Sequence, residues 1–250
     1  MWSTLWQRQA SRAVKSWAPL GVLVLAEIAY PLVSGHTRAV LVVCTVVIGF
    51  AVAVGHAWTT RGLRLAAALV AITAGGGFAV EALGVATGFP FGSYEYSAAL
   101  GPRLLGVPLV IPLAWTWMAW PAWLAAGRLT TRGRVPVAAA GLAAWDLFLD
   151  PQMVAEGYWR WHDPSPALPG VPDVPVTNYL GWFVVALMMM ALMPGEPGDD
   201  APMLALYLWT YASSVLAHAV FLGLPGSAGW GALGMGLVAL PLAGRLAWSR

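Results

Sequence analysis

Charge is scarce in this sequence. Only 24 of its 250 residues are Asp, Glu, Lys or Arg, 10% of the chain, against roughly 25% in a soluble domain. So few charges do not cover a water-facing surface, which argues against a soluble globular fold. Disorder is excluded by the opposite quantity: 59% of the residues are hydrophobic and the mean hydropathy is +0.71, far more apolar surface than a disordered chain carries. Lysine occurs once, as Lys15 in the N-terminal tail. No apolar segment therefore holds the amine that a retinal Schiff base needs. Cysteine also occurs once, as Cys44 inside an apolar run, which excludes an intramolecular disulfide and gives no metal-cluster signal. The net charge is +2 and the pI about 8.9, yet the basic residues sit in short loops and form no nucleic-acid stripe. Phosphate-binding and dinucleotide fingerprints are absent.

What is present is a series of long apolar runs. Their length, close to the ~20 residues of a membrane-spanning helix, argues against a β-barrel, whose strands alternate over about 10 residues. The expected fold is an all-α, polytopic transmembrane bundle in one domain, residues 1–250. Hydropathy places spans at about 17–34, 39–58, 63–84, 104–126, 135–150, 178–194, 202–222 and 229–247. The N-terminus resembles a signal peptide, but its apolar stretch contains Glu27 and no small-residue cleavage site, so it reads as the first span. Two connections are long, 85–103 and 151–177, and both are rich in Pro, Gly and aromatics, as expected of ordered loops.

With the N-terminus in the cytoplasm, cytoplasmic segments hold Arg8, Arg12, Lys15, Arg61, Arg64, Arg128, Arg132, Arg134, Arg245 and Arg250. The opposite side holds Arg38, Arg103 and Arg160. Ten against three is a positive-inside bias that places both termini in the cytoplasm. The acidic loop Glu196, Asp199, Asp200 falls on the same side and carries little weight in this rule. The expected location is the cell membrane.

In this topology Glu27, Glu81, Asp146, Asp150, Asn178 and His218 share one depth, in the outer half of the membrane. Glu95 and Glu156 lie in the long outer loops, where they would cap the same region. Asp146 and Asp150 are four apart and share a helix face. A carboxylate at membrane depth costs about 2.5–3.5 kcal/mol on insertion scales, which makes each of the four a functional candidate. With no intramembrane cation among them, at least one is expected to be protonated at neutral pH.

Plainer roles compete with chemistry. Asp150 precedes Pro151 and also reads as the N-cap of a short interfacial helix 151–161. His218 and Glu27 also read as interhelical hydrogen bonders. His56 and His36 look structural or solvated, and His56 and His218 lie near opposite faces, which gives poor support for haem. Trp115, Trp117, Trp120 and Trp123 read as lipid packing and an interfacial belt. Trp159 and Trp161 read as cavity walls. Asp146 and Asp150 superficially suit a magnesium-dependent prenyl transfer, but no second Asp-rich run or diphosphate-binding cation lies on their side.

Three stretches carry a resemblance. The first is Phe89-Pro90-Phe91-Gly92-Ser93-Tyr94-Glu95-Tyr96, followed by Leu100-Gly101-Pro102 and Gly106-Val107-Pro108. The second is Ala144-Trp145-Asp146-Leu147-Phe148-Leu149-Asp150-Pro151-Gln152-Met153, with Trp159 and Trp161 after it. The third is Pro175-Val176-Thr177-Asn178-Tyr179-Leu180-Gly181-Trp182. Together, over about residues 78–182, the chain resembles the integral-membrane carotenoid biosynthesis family typified by CruF-type carotenoid hydratases.

The resemblance implies addition of water across the terminal 1,2 double bond of an acyclic carotenoid, lycopene-like or γ-carotene-like, to give a tertiary alcohol. No redox cofactor or metal is required. A protonated, desolvated acid suits protonation of an isolated alkene. Carboxylates and aromatic faces suit the resulting cation, and a second carboxylate suits deprotonation of water. The expected roles are Asp146 as proton donor and Asp150 as base, with Glu81 and Glu27 as donor alternatives. Tyr94, Glu95, Tyr96, Trp145, Trp159 and Trp161 are expected around the end group, and Asn178 and His218 around the water. The expected partners are membrane lipid and other enzymes of the pathway, with no nucleic acid. The competing functions are a carotenoid cyclase or isomerase, a membrane prenyltransferase, and a carotenoid-binding protein or transporter.

Overall fold

A computed structural model describes residues 17–195 and 200–248. Arg8, Arg12, Lys15, Glu196, Asp199 and Arg250, used above to orient the chain, lie outside the described residues. Among the described residues the chain forms eight helices: α1 Trp17–Leu32, α2 Gly35–Arg61, α3 Leu63–Thr87, α4 Ile111–Leu129, α5 Arg134–Ala155, α6 Val176–Leu192, α7 Ala201–Phe221 and α8 Pro225–Trp248. The protein is an all-α helical membrane protein. Four helices, α2, α3, α7 and α8, are long and apolar enough to cross a membrane. The two central helices, α4 and α5, are not among these four. α4 packs against α2, α3, α5, α7 and α8, and α5 against α4, α6 and α8. Helices that meet other helices rather than lipid are free to carry tryptophan, glycine and carboxyl groups in place of a uniformly apolar surface.

Glycine punctuates the helices. Gly62 turns the chain between α2 and α3 with φ +87°, and Gly88 ends α3 in the left-handed region with φ +78°. Its N–H donates to the Gly84 carbonyl, closing the helix end. Two π-helical turns interrupt the α-helices, Ala71–Gly75 in α3 and Ala217–Phe221 in α7. Each shifts the register of the residues after it.

The even alternation of helices gathers the loops at two ends. At one end Arg38 pairs with Glu156, Trp230 donates to the Pro169 carbonyl at 2.9 Å, and β1 Tyr94–Tyr96 pairs antiparallel with β4 Trp159–Trp161. Two further small hairpins lie in the same loops, β2 Arg103–Leu104 with β3 Val107–Pro108 and β5 Ala167–Leu168 with β6 Val171–Pro175. At the other end Arg61 pairs with Asp200, Trp123 donates to the Pro194 carbonyl at 3.0 Å, and Arg245 reaches the Leu129 carbonyl at 3.0 Å.

Two boundaries differ from the hydropathy reading. The predicted span 104–126 starts too early, because the β2–β3 hairpin occupies its first residues and α4 begins at Ile111. The predicted break at Pro151 does not occur: α5 runs unbroken through Pro151 to Ala155. Proline has no N–H for the carbonyl four residues back, here Leu147. That carbonyl accepts instead from the Ser227 hydroxyl of α8 at 2.6 Å. Asp150 is therefore not an N-cap, and the expected helix 151–161 is replaced by the last turn of α5 and strand β4.

Candidate functional site

Strands β1 and β4 form a two-stranded lid. Their register sets Tyr94 against Trp161, Glu95 against Arg160 and Tyr96 against Trp159. Side chains alternate across a strand, so the four aromatics turn inward and are buried, while Glu95 and Arg160 face out. The lid closes over a cavity of about 170 Å³ among the helices. This is below the ~300–1,000 Å³ of pockets that enclose a drug-sized ligand, and so suits one end of a long molecule.

Below the lid, α4, α5 and α6 supply an aromatic cage. Trp115 stacks on Trp182 with centroids 3.8 Å apart, and Trp145 stands edge-on to both Trp182 and Trp117. Small residues make room for it. A Cβ on Gly77 would lie 2.8 Å from the Trp115 ring, and one on Gly84 would lie 2.7 Å from the Tyr94 hydroxyl. The reading of Trp115, Trp117, Trp120 and Trp123 as a lipid-facing belt is overturned, because all four are buried. Trp115 and Trp117 line the cavity. Trp120 donates to His56 Nδ1 at 3.0 Å near the opposite end, where His56 is a buried packing residue.

Three carboxyls meet the cage. Glu81 accepts from Tyr94 at 2.6 Å, from Tyr96 at 2.8 Å and from Trp115 Nε1 at 3.2 Å. Burial first, and the Glu81 carboxyl second, hold both tyrosine hydroxyls above their ordinary pKa, so they remain protonated donors. Asp150 accepts from Trp159 Nε1 at 3.0 Å and from the Asn178 amide. The same amide nitrogen donates to Asp146 at 2.7 Å, so one Asn178 amide bridges the two carboxyl groups. The arrangement follows from sequence: Asp146 and Asp150 are one turn apart on α5, and Asn178 lies in the first turn of α6, packed alongside. Two buried carboxyl groups share this one donor, with Asp146 Oδ1 buried and without a hydrogen-bond partner among the described residues.

The structure separates residues that the sequence grouped. Glu81, Asp150, Glu27, Tyr94, Tyr96, Trp145, Trp159, Trp161 and Asn178 line the cavity. Asp146 does not; it is fully buried behind Asp150. Glu27 reaches the cavity from α1 and accepts from Trp209 Nε1 at 2.5 Å. Glu95 and Glu156 do not cap the site: each pairs with an arginine, Arg160 and Arg38, away from the cavity. His218 is buried outside the cavity wall. Its Nε2 lies 3.0 Å from the side-chain amide of Gln152, which does line the cavity. The single hydrogen of Ser227 goes to Leu147, so Ser227 accepts from His218 Nδ1 at 2.9 Å. Among the described residues no group of three or more His, Cys, Asp or Glu is placed to hold a metal ion.

Sequence reasoning missed Trp115, Trp182 and the polar wall of Thr45, Thr210 and Gln152. Trp182 stood within a motif without a role, and a threonine in a long apolar helix gives no signal of its own.

Fold and site together define a helical membrane protein with an internal, lid-covered cavity walled by aromatic rings and carboxyl groups. The chain belongs to the carotenoid biosynthesis protein family, whose pattern matches residues 39–241. It is 35% identical over 128 residues to a bisanhydrobacterioruberin hydratase of Haloarcula japonica. That match covers 48% of this chain and 42% of the relative, less than half of each. No solved structure matches the chain.

Proposed function

We propose that the protein is a carotenoid hydratase that adds water to the terminal 1,2 double bond of an acyclic carotenoid end group. The observation that carries this reading is the buried Asp146–Asp150 pair, bridged by the Asn178 amide and opening through Asp150 on an aromatic cage. The family assignment supports a carotenoid substrate. The name of the Haloarcula japonica relative supports hydration as the reaction.

The residues divide the work as follows. Asp146 stores the proton, and Asp150, the member of the pair that lines the cavity, passes it to the less substituted alkene carbon. A tertiary cation forms at the other carbon. The negative charge left on the pair, the Glu81 carboxylate and the faces of Trp115, Trp145, Trp159 and Trp161 stabilise it. Water adds to the cation, and the proton it loses returns to Asp150, which resets the pair. This modifies the expected assignment: both aspartates share one proton, and the cavity-facing one both gives and takes it. The long polyene remains in lipid while one end group occupies the cavity. The eight helices act as eight spans, with the arginine-rich end and both termini in the cytoplasm and the lid on the outer face of the cell membrane.

The test is expression in a lycopene-accumulating bacterium followed by pigment mass analysis. A product heavier by one water is expected. An isomer of unchanged mass would replace hydration by cyclisation or isomerisation, and an unchanged pigment would overturn an enzymatic role toward lycopene.

A further inference from the structure

The acid-lined part of the cavity accounts for protonation, but the wall formed by α2, α4 and α7 has a different character. Thr45 of α2 and Thr210 of α7 line the cavity there and are 8% and 4% exposed. A threonine inside a helix ordinarily donates to a carbonyl three or four residues back. Thr73 and Thr59 of this protein do so, at 2.7 and 2.8 Å. Thr45 Oγ1 and Thr210 Oγ1 do not: both are buried without a hydrogen-bond partner among the described residues. Trp117 Nε1 of α4 is a third unpartnered group from a cavity-lining residue. The Tyr30 hydroxyl is a fourth, and Glu27, Gln152, Ser213 and Ser214 add to the polar lining.

Buried polar groups are costly when unpaired, and several around one cavity mark the place of a small polar molecule that pairs with them. A hydrocarbon end group supplies no such partner, whereas water both donates and accepts. We infer that this wall is the water site of the reaction: Thr45, Thr210 and Trp117 hold about one or two water molecules, one of which adds to the cation. The inference rests on the hydratase reading above. The water oxygen gives a lone pair to the tertiary carbon, the new C–O bond forms, and the surplus proton passes to the Asp150 carboxylate that released the first one. No other bond breaks and no electrons are exchanged with a cofactor. From Gln152 the polar contacts continue through His218 to Ser227, which lines a second cavity of about 60 Å³ together with residues of β6. The water site is thus linked by polar groups to the loop-covered end of the bundle.

The experiment compares the wild type with Thr45→Val/Thr210→Val, which keeps side-chain shape and removes both hydroxyls, in the lycopene-accumulating bacterium at equal amounts of membrane-inserted protein. Alcohol yield is expected to fall about tenfold, while isomers of unchanged mass rise, because a cation without water loses a proton instead. Thr45→Ser/Thr210→Ser is expected to restore the alcohol. An active wild type with an equally hydrating valine variant would overturn the water site. So would a valine variant that loses substrate consumption altogether and is not restored by serine, since that is a packing defect. A wild type that produces no alcohol would overturn the hydratase reading itself, a result distinct from either.

Discussion

The two ends of the helix bundle use the same residue types in opposite ways. At the arginine-rich end, cations lie against tryptophan faces: Arg61 is 4.9 Å from the Trp120 ring centre and Arg134 is 3.7 Å from that of Trp123. Arg61 also pairs with Asp200. At the lid end the tryptophans turn their N–H edges toward carboxyl groups, Trp115 to Glu81 and Trp159 to Asp150. Among the described residues no arginine is a hydrogen-bond partner of Glu81, Asp146 or Asp150; their partners are Tyr, Trp and Asn. A carboxylate paired with arginine has its charge matched permanently. One held by neutral donors keeps its field for a cation that forms during reaction, and retains the ability to exchange a proton. On the proposed function, the first end serves structure and the second chemistry.

The contrast is broken most severely by removing the proposed proton store. Asp150→Asn is expected to lower hydration ~100- to 10,000-fold with the protein still inserted, as read by pigment mass and membrane immunoblot. Asp146→Asn is expected to fall in the same range, because on the proposed mechanism either change removes one of the two carboxyl groups that exchange the proton. At the opposite end, Arg61→Ala is expected to cost about 3 kcal/mol of stability, since Asp200 and the Trp120 face lose a partner whose side chain is only 1% exposed. Melting in detergent measures this, and activity per folded molecule should stay near wild type. Loss of activity without loss of stability would erase the division between the ends.

Smaller effects sharpen it. Tyr94→Phe and Tyr96→Phe each remove one neutral donor from Glu81, and each is expected to lower the rate about tenfold. The smallest effect belongs to the exposed pair on the outer face of the lid. The hydrogen bond and charge of Arg160 hold the Glu95 carboxyl below its usual pKa. A depressed folded pKa gives a contribution present above the ordinary carboxylate range and lost as pH falls through the lowered value. Glu95→Gln is therefore expected to leave hydration within about twofold at neutral pH, as fits a screened surface pair.

Much of this was legible from residue order. The apolar runs located the helices to within a few residues, the start of α4 excepted, because hydropathy reports burial in lipid or protein. The four-residue spacing of Asp146 and Asp150 already put them on one helix face. Other features were not legible for particular reasons. Pro151 looked like a helix break because the hydroxyl that relieves it, on Ser227, is 76 positions away in the chain. Trp115 and Trp117 looked like lipid contacts because hydropathy does not distinguish a helix surrounded by lipid from one surrounded by helices. Glu95 looked like a pocket residue because its neighbours Tyr94 and Tyr96 are, while strand alternation turns it the other way.

Sequence alone determined that the chain is a helical membrane protein with acids inside its apolar runs. Composition and spacing are sufficient for that, since the cost of burying charge is a property of each residue type. Only the tertiary structure decided which acids act together. Asp146 and Asp150 needed Asn178 from another helix, Glu81 needed two tyrosines from the lid and a tryptophan from α4, and Glu95 and Glu156 were withdrawn by arginines. A carboxyl group's chemistry is set by the partners within hydrogen-bond reach, and those partners come from distant parts of the chain.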